Sequence, residues 1–297
     1  MGFSRLAAAI TVLFASAAAC ASDDKTTFER QVPAEAHGVV DISNVSGTVV
    51  VTGWDRPEAS VRAELGAGVE RVDVNTDHGR TSIKVVRPHP GQGGDADLHV
   101  QIPKDSELTV SAVSADVTTS GVSGVQRLHT VSGDITAELG GSDLELKSVS
   151  GDVKLKGHGQ PARLHVSTVS GDVHLEHGAG DLEAGTVSGT LVVSLDSARS
   201  VRAHSTSGDV HFEGKLARGA DFDVTSVSGD LNVRASADAG YAYEVSTFSG
   251  DISNCFNATP SEHGHMPGHT LQGTRGDGAG HMHLKTMSGD VQLCDRK

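Results

Sequence analysis

Aromatic side chains are scarce in this chain of 297 residues: seven Phe, two Tyr and one Trp, or 3%. A thick globular core built on large rings is therefore excluded. Cysteine is limited to Cys20, Cys255 and Cys294, too few for a disulfide-dense scaffold or a four-thiolate zinc site. Basic residues are outnumbered 24 to 38 by acids, for a formal net charge of −14. They also stand singly, so the clustered cations that release counterions from nucleic acid are missing. The longest apolar run, Leu6 to Phe14, is too short to cross a bilayer.

What is abundant is glycine, 36 residues, together with Val, Ser, Thr and Asp, a composition that suits thin β-layers and many turns. These residues are arranged on a ruler. A Ser-[Gly/Ala]-[Asp/Thr] mark begins at Ser114, Ser132, Ser150, Ser170, Ser188, Ser207, Ser228, Ser249 and Ser288, at intervals of 18, 18, 20, 18, 19, 21, 21 and 39 residues. Its full form is Ser132-Gly133-Asp134, Ser150-Gly151-Asp152, Ser170-Gly171-Asp172, Ser207-Gly208-Asp209, Ser228-Gly229-Asp230, Ser249-Gly250-Asp251 and Ser288-Gly289-Asp290. A near-constant period of this size marks a solenoid, in which each unit buries its apolar face only against its neighbours.

Within one unit, Leu144, Leu146, Ser148 and Ser150 share a parity, whereas Val153 and Leu155 have the opposite one. The face resets at Gly151-Asp152, so the chain bends there. A second turn, Gly157-His158-Gly159, follows half a repeat later. Each rung is thus two short strands and two turns, and nine rungs about 4.8 Å apart make a rod of roughly 40 Å. The expected fold is an all-β solenoid with rungs of 18 to 21 residues. An antiparallel β meander has the same strand and turn lengths and is the alternative.

This reading places the Ser column inward as a stacked hydroxyl ladder, and has each Asp accept a backbone N–H within its own bend. Calcium between rungs is the sharper possibility for the Asp column, but the Gly- and Asp-dense nonapeptide of calcium-binding β-rolls is absent. The residue before each Ser is Val113, Val131, Val149, Val169, Val187, Thr206, Val227, Phe248 or Met287. Eight apolar residues in nine look like a buried position, so the bend is expected to tuck this column inside. Strict alternation would instead leave it as an exposed stripe of the kind that marks contact sites.

Residues 1–21 read as an export signal: Arg5, then the apolar run, then the small residues Ala15 to Ala21. Ala17-Ala18-Ala19-Cys20 resembles a lipoprotein box in which Cys20 becomes the lipidated first residue, giving membrane attachment; cleavage after Ala21 competes. Residues 22–110 carry the repeat loosely and are expected to be irregular rungs that cap the array, and 111–297 form the regular solenoid with a loop insert at 257–280. Cys255 and Cys294 each stand six residues after their repeat's Ser. If those rungs are adjacent, the two lie within disulfide reach, closing a loop worth roughly 4 kcal/mol in the chain-entropy model.

The Val-Ser-Gly-Asp-Val repeats, the early segment Val45-Ser46-Gly47-Thr48-Val49-Val50-Val51-Thr52-Gly53-Trp54-Asp55 and the strand Leu98-His99-Val100-Gln101-Ile102-Pro103 are similar to the bacterial β-strand-repeat family known as putative adhesins. The resemblance covers about residues 28–297. It implies an exported or envelope-attached β-solenoid without catalytic residues.

The functional expectation is a non-enzymatic scaffold or adhesin-like binding module of the cell envelope, acting on an envelope protein or glycan, with self-association as a further possibility. No Gly-x-Ser-x-Gly element distinguishes one Ser from its siblings. The alternative is metal capture: His263, His265, Met266, His269, His281 and His283 gather in and after the insert, and imidazole with thioether suits copper, nickel or zinc. No other cofactor is implied.

Overall fold

A computed structural model describes residues 26–88, 94–236, 240–256, 258–262 and 268–296. The leader with Cys20, and His263, His265 and Met266 of the insert, lie outside them. The described chain is all strand and turn. Strands β1 (Thr26–Pro33), β2 (Val39–Trp54), β3 (Glu58–Leu65), β4 (Arg71–Asp77), β5 (Arg80–Val86), β6 (Ala96–Pro103) and β7 (Glu107–Ser120) precede the regular array. The array comprises β8 (Gln126–Ser132), β9 (Ile135–Glu138), β10 (Leu144–Ser150), β11 (Val153–Lys156), β12 (Pro161–Ser170), β13 (Val173–Ser188), β14 (Leu191–Ser207), β15 (Val210–Ser228) and β16 (Leu231–Ser236). After it come β17 (Tyr241–Ser249), β18 (Ile252–Asn254), β19 (Ser261–Glu262), β20 (His269–Arg275), β21 (Gly280–Ser288) and β22 (Val291–Asp295).

The rungs stack in parallel and in register, which decides against the meander. Leu146 pairs with Leu128 on one side and Val166 on the other, and Leu155 with Ala137 and Leu175. Identical positions therefore meet identical positions, and the interior is a column of Leu, Val and Ile: Leu144, Leu146, Val153, Leu155, Val173 and Leu191 are all at most 2% exposed. Burying each such side chain is worth about 1.5–3 kcal/mol against leaving it in water.

The corner differs from expectation by one position. Ser148 is buried, but Val149, Ser150, Gly151 and Asp152 all leave the core before Val153 re-enters it. The buried hydroxyl ladder exists two residues before the Ser mark, as Thr130, Ser148, Thr168, Thr186, Ser205, Ser226, Thr247 and Thr286. The marked Ser column, Ser114 through Ser288, is exposed at every rung. Alternation holds through the residue before Ser and ends at the Ser itself, where the strand stops and the Gly-Asp corner begins.

Glycine is demanded twice over at this corner. Gly171 has φ of 143°, and a Cβ on it would lie 2.2 Å from the carbonyl oxygen of Gly151 in the neighbouring rung. A side chain would be strained by the backbone and would collide with the rung below.

Spatial order departs from chain order at both ends. β2 pairs in parallel with β7 on one side and with β5 and β6 on the other. Beyond those, β4 adds to β5, β3 to β6 and β1 to β3, all antiparallel. At the other end β21 pairs with both β15 and β17, and β22 with both β16 and β18. The last rung in sequence thus sits between the Ser228 and Ser249 rungs. Strand β20 then pairs antiparallel with β17, and β19 with β20. The insert expected as a loop contributes a capping hairpin, which covers an edge that would otherwise invite further pairing.

Cys255 and Cys294 form a disulfide with Cα atoms 4.9 Å apart. The scarce aromatics collect at the same end: Tyr241 lies 6.3 Å from Tyr243, Tyr243 lies 5.9 Å from Phe256, and the Arg275 guanidinium stands 4.3 Å from the Phe256 ring. Arg275 also pairs with Asp295. The Tyr241 hydroxyl is buried without a hydrogen-bond partner among the described residues, and burial pushes its pKa up to about 12.

Candidate binding surface

Three parallel rows run along the corner of the rod. The first is apolar. Val113, Val131, Val149, Val169, Val187 and Val227 are 42–48% exposed, and Met287 and Phe248 reach 54% and 56%. Val45 continues the row at the other end, and Thr206 is its polar break. The expectation that the bend would bury this column is overturned, because strand alternation still holds at this residue and sends it outward from the buried hydroxyl before it. The arrangement is a continuous ridge of exposed hydrophobics, which monomeric surfaces rarely display without a partner.

The second row is the exposed Ser column, and the third is the Asp column. Each Asp except the last, Asp251, accepts the backbone N–H of the matching position one rung away, not one in its own bend. Asp116 accepts from Asp134, Asp134 from Asp152 and Asp152 from Asp172, at 2.9, 2.9 and 3.0 Å. The chain of bonds follows spatial order, from Asp209 to Asp230, Asp290 and Asp251. It breaks once, at Thr190, which gives its own N–H to Asp172 but has no carboxylate to offer the next rung. These bonds offset part of the mutual repulsion of stacked carboxylates.

Outside the ridge, the strand leading into each corner presents a charged face. Five residues before each Ser from Ser132 on, in spatial order, stand Arg127, Glu145, His165, Glu183, Arg202, Asp223, His283 and Glu244, with the uncharged Thr109 next to Arg127 at the Ser114 rung. Acid alternates with base or imidazole at every step. Chain order would set Asp223 beside Glu244; the insertion of β21 puts His283 between them. Contacts follow the alternation: His165 Nδ1 to Glu183 at 3.3 Å, Arg127 to Glu145 at 3.8 Å, His283 Nδ1 to Asp223 at 3.8 Å. A shallow concavity of about 590 Å³ lies here, lined in part by Arg127, Asp143, Arg163, His165 and Arg202. The Arg199 hydrogen bond holds the Asp181 carboxyl below its usual range, and Lys147 does the same for Glu145.

The described part of the histidine group is not brought together. His281 and His283 lie on β21 and His269 on β20, with β17 between those strands. Among the described residues no three His, Cys, Asp or Glu are placed to hold one metal ion.

Residues 70–294 match the family model described as Toastrack DUF4097. The chain belongs to the Toastrack DUF4097 family. A Toastrack chain of this kind is a β-solenoid-like stack of parallel rungs, as the pairings above show. No curated protein matches the sequence. Among solved structures, the chain is similar to a "putative adhesin" from Bacteroides fragilis, at 14% identity over 91% of this chain and 98% of that one, with a TM-score of 0.45. It is similar to a "putative lipid binding protein" from Parabacteroides distasonis, at 10% identity over 91% and 97%, TM-score 0.46. A "putative cell adhesion protein" from Clostridium sporogenes matches at 8% identity over 92% and 100%, TM-score 0.27. At these identities and scores the three say nothing about what a Toastrack chain with this surface binds.

Proposed function

We propose that this protein is a non-enzymatic, adhesin-like binding module or scaffold of the cell envelope. It is exported by residues 1–21 and held at a membrane by lipid on Cys20, or released by cleavage after Ala21. The single observation that carries the reading is the apolar ridge from Val45 to Phe248, exposed at nine rungs of a regular stack. Repetition is the mechanism: many weak and equivalent contacts on one rigid rod add, because the first raises the effective concentration of the rest. Catalysis has no comparable support, since the corner Ser is exposed at every rung and no rung sets one of them apart by burial.

The test is photo-crosslinking from a probe at Val169 in intact envelopes, followed by mass spectrometry. One discrete protein or glycan recovered from Val169, and absent with the probe moved to Lys154 on the other strand's outer face, supports the reading. No adduct at either position defeats it.

A further inference from the structure

The ridge has unlike flanks. On one side is the carboxylate row, Asp116, Asp134, Asp152, Asp172, Asp209, Asp230, Asp290 and Asp251. On the other, three residues before each Ser, stand Ser111, His129, Lys147, Ser167, Gly185, His204, Thr225, Lys285 and Ser246 in spatial order. That row holds two lysines and two histidines and no acid at all. Seven of these eight use one carboxylate oxygen on the neighbouring rung, and Asp251, at the end of the row, accepts no such bond.

A surface with acid on one flank and base on the other can complement itself, but only in one orientation. If two copies meet ridge to ridge across a two-fold axis along the rod, the Asp row of each faces the Lys/His row of the other. If the axis is perpendicular to the rod, so that the rods run antiparallel, Asp faces Asp and repels. Parallel pairing also places like rungs together, Val149 on Val149, at one spacing throughout.

The area is adequate. Ten rungs at about 4.8 Å span about 43 Å, and the six positions from the basic row to the Asp row cover about 17 Å of chain. Laid flat, that strip would bury at most roughly 1,400 Å² in total, and because it folds round the corner the pair sits toward the lower end of the range of stable specific interfaces. We therefore propose that the ridge is the interface of a parallel, two-fold homodimer of this chain. This rests on the reading of the ridge as a binding surface and names its partner. Both copies begin at the same end of the pair, so both would reach the same membrane, and the two charged faces with their shallow concavities remain open.

The experiment uses the mature chain carrying Cys20→Ala. Sedimentation equilibrium is expected to give twice the chain mass, with Val149→Lys/Val187→Lys monomeric at an unchanged melting temperature. Lys147→Glu/Lys285→Glu should weaken the dimer at least tenfold. Under oxidation, Val131→Cys alone and Val227→Cys alone should each form a covalent dimer, since each residue meets itself. In the antiparallel arrangement rung three meets rung eight, and only a mixture of the two would crosslink. That pattern, or a monomer at every concentration up to the solubility limit, overturns the proposal. If the protein is monomeric and the Val149→Lys/Val187→Lys variant loses its envelope crosslink, the dimer falls while the binding-module reading stands. A dimer in which the Val169 probe captures only a second copy of this chain keeps the dimer and defeats an envelope partner on the ridge.

Discussion

The middle of the rod and its two ends use the same residues under different rules. From β7 to β16 chain order is spatial order, every pairing is parallel, and each rung repeats the one before it. At the ends a rung is inserted out of order, antiparallel strands β1, β3, β4, β19 and β20 are added, and one end gains a disulfide. A parallel in-register stack presents the same open edge however long it grows, so it contains no instruction to stop. Termination has to come from a change of direction, and the chain uses one at each end.

The strongest break in that contrast is removal of the disulfide. Cys255→Ser with Cys294→Ser reopens a loop of 39 residues and should cost about 4 kcal/mol in the chain-entropy model. Hydrogen exchange should rise in β17, β18, β21 and β22 and stay low in β8 to β11. Uniform loss would mean that ends and middle unfold together.

The middle is broken at its corner. Gly171→Ala should cost about 3 kcal/mol in urea denaturation, from positive φ and a backbone collision. Gly185→Ala, with nothing within 4 Å of its Cβ position and no positive φ, should change stability by no more than ~0.5 kcal/mol.

Alkaline pH should act on the C-terminal end. The Tyr241 phenol is held neutral in the folded state by burial, with a pKa of about 12. Its unfolded value is about 10, so the contribution is complete below pH 10 and is lost as pH rises through 12. The expected loss is about 2 kcal/mol, read as a falling urea midpoint. Tyr241→Phe should flatten that fall and, by removing a hydroxyl without a partner, leave neutral-pH stability unchanged or improved.

Asp152→Ala removes the acceptor for the Asp172 N–H and should cost about 1 kcal/mol; a loss confined to the β10–β13 amides would locate the bond. The smallest effect is on the charged face. Glu183→Lys sets a cation between His165 and Arg202 and should cost about 0.5 kcal/mol, a difference that high salt should erase.

Periodicity made the middle legible. Because rungs pair in register, the position of Leu144 or Val153 in the sequence is its position in the core, and spacing alone brought Cys255 beside Cys294. The corner was half legible. Parity on either side showed that the face resets, but not which of four consecutive residues begins the turn, so Ser150 was set inside and Val149 was expected to be buried with it. The order of the final rungs was not legible. Nothing local in Ser249 or Ser288 says that the later rung lies inside the earlier one; the signal, in hindsight, is charge, since only that order keeps Asp223 and Glu244 apart. The capping hairpin was hidden by its composition, because Gly, His and Pro between strands read as loop.

The order of the final rungs bears on how the molecule is completed. Strands β21 and β22 do not extend the rod but enter it, lying between two rungs that precede them in sequence and meeting Asp230 on one side and Asp251 on the other. A chain cut short after Asn254 would have every element of the outer cap except the hairpin and still could not close, since its penultimate rung would be missing. Only a chain that carries β21 and β22 has a finished tip, and the Cys255–Cys294 disulfide can form only once they are in place, so oxidation of that pair reports that the inserted rung has been seated.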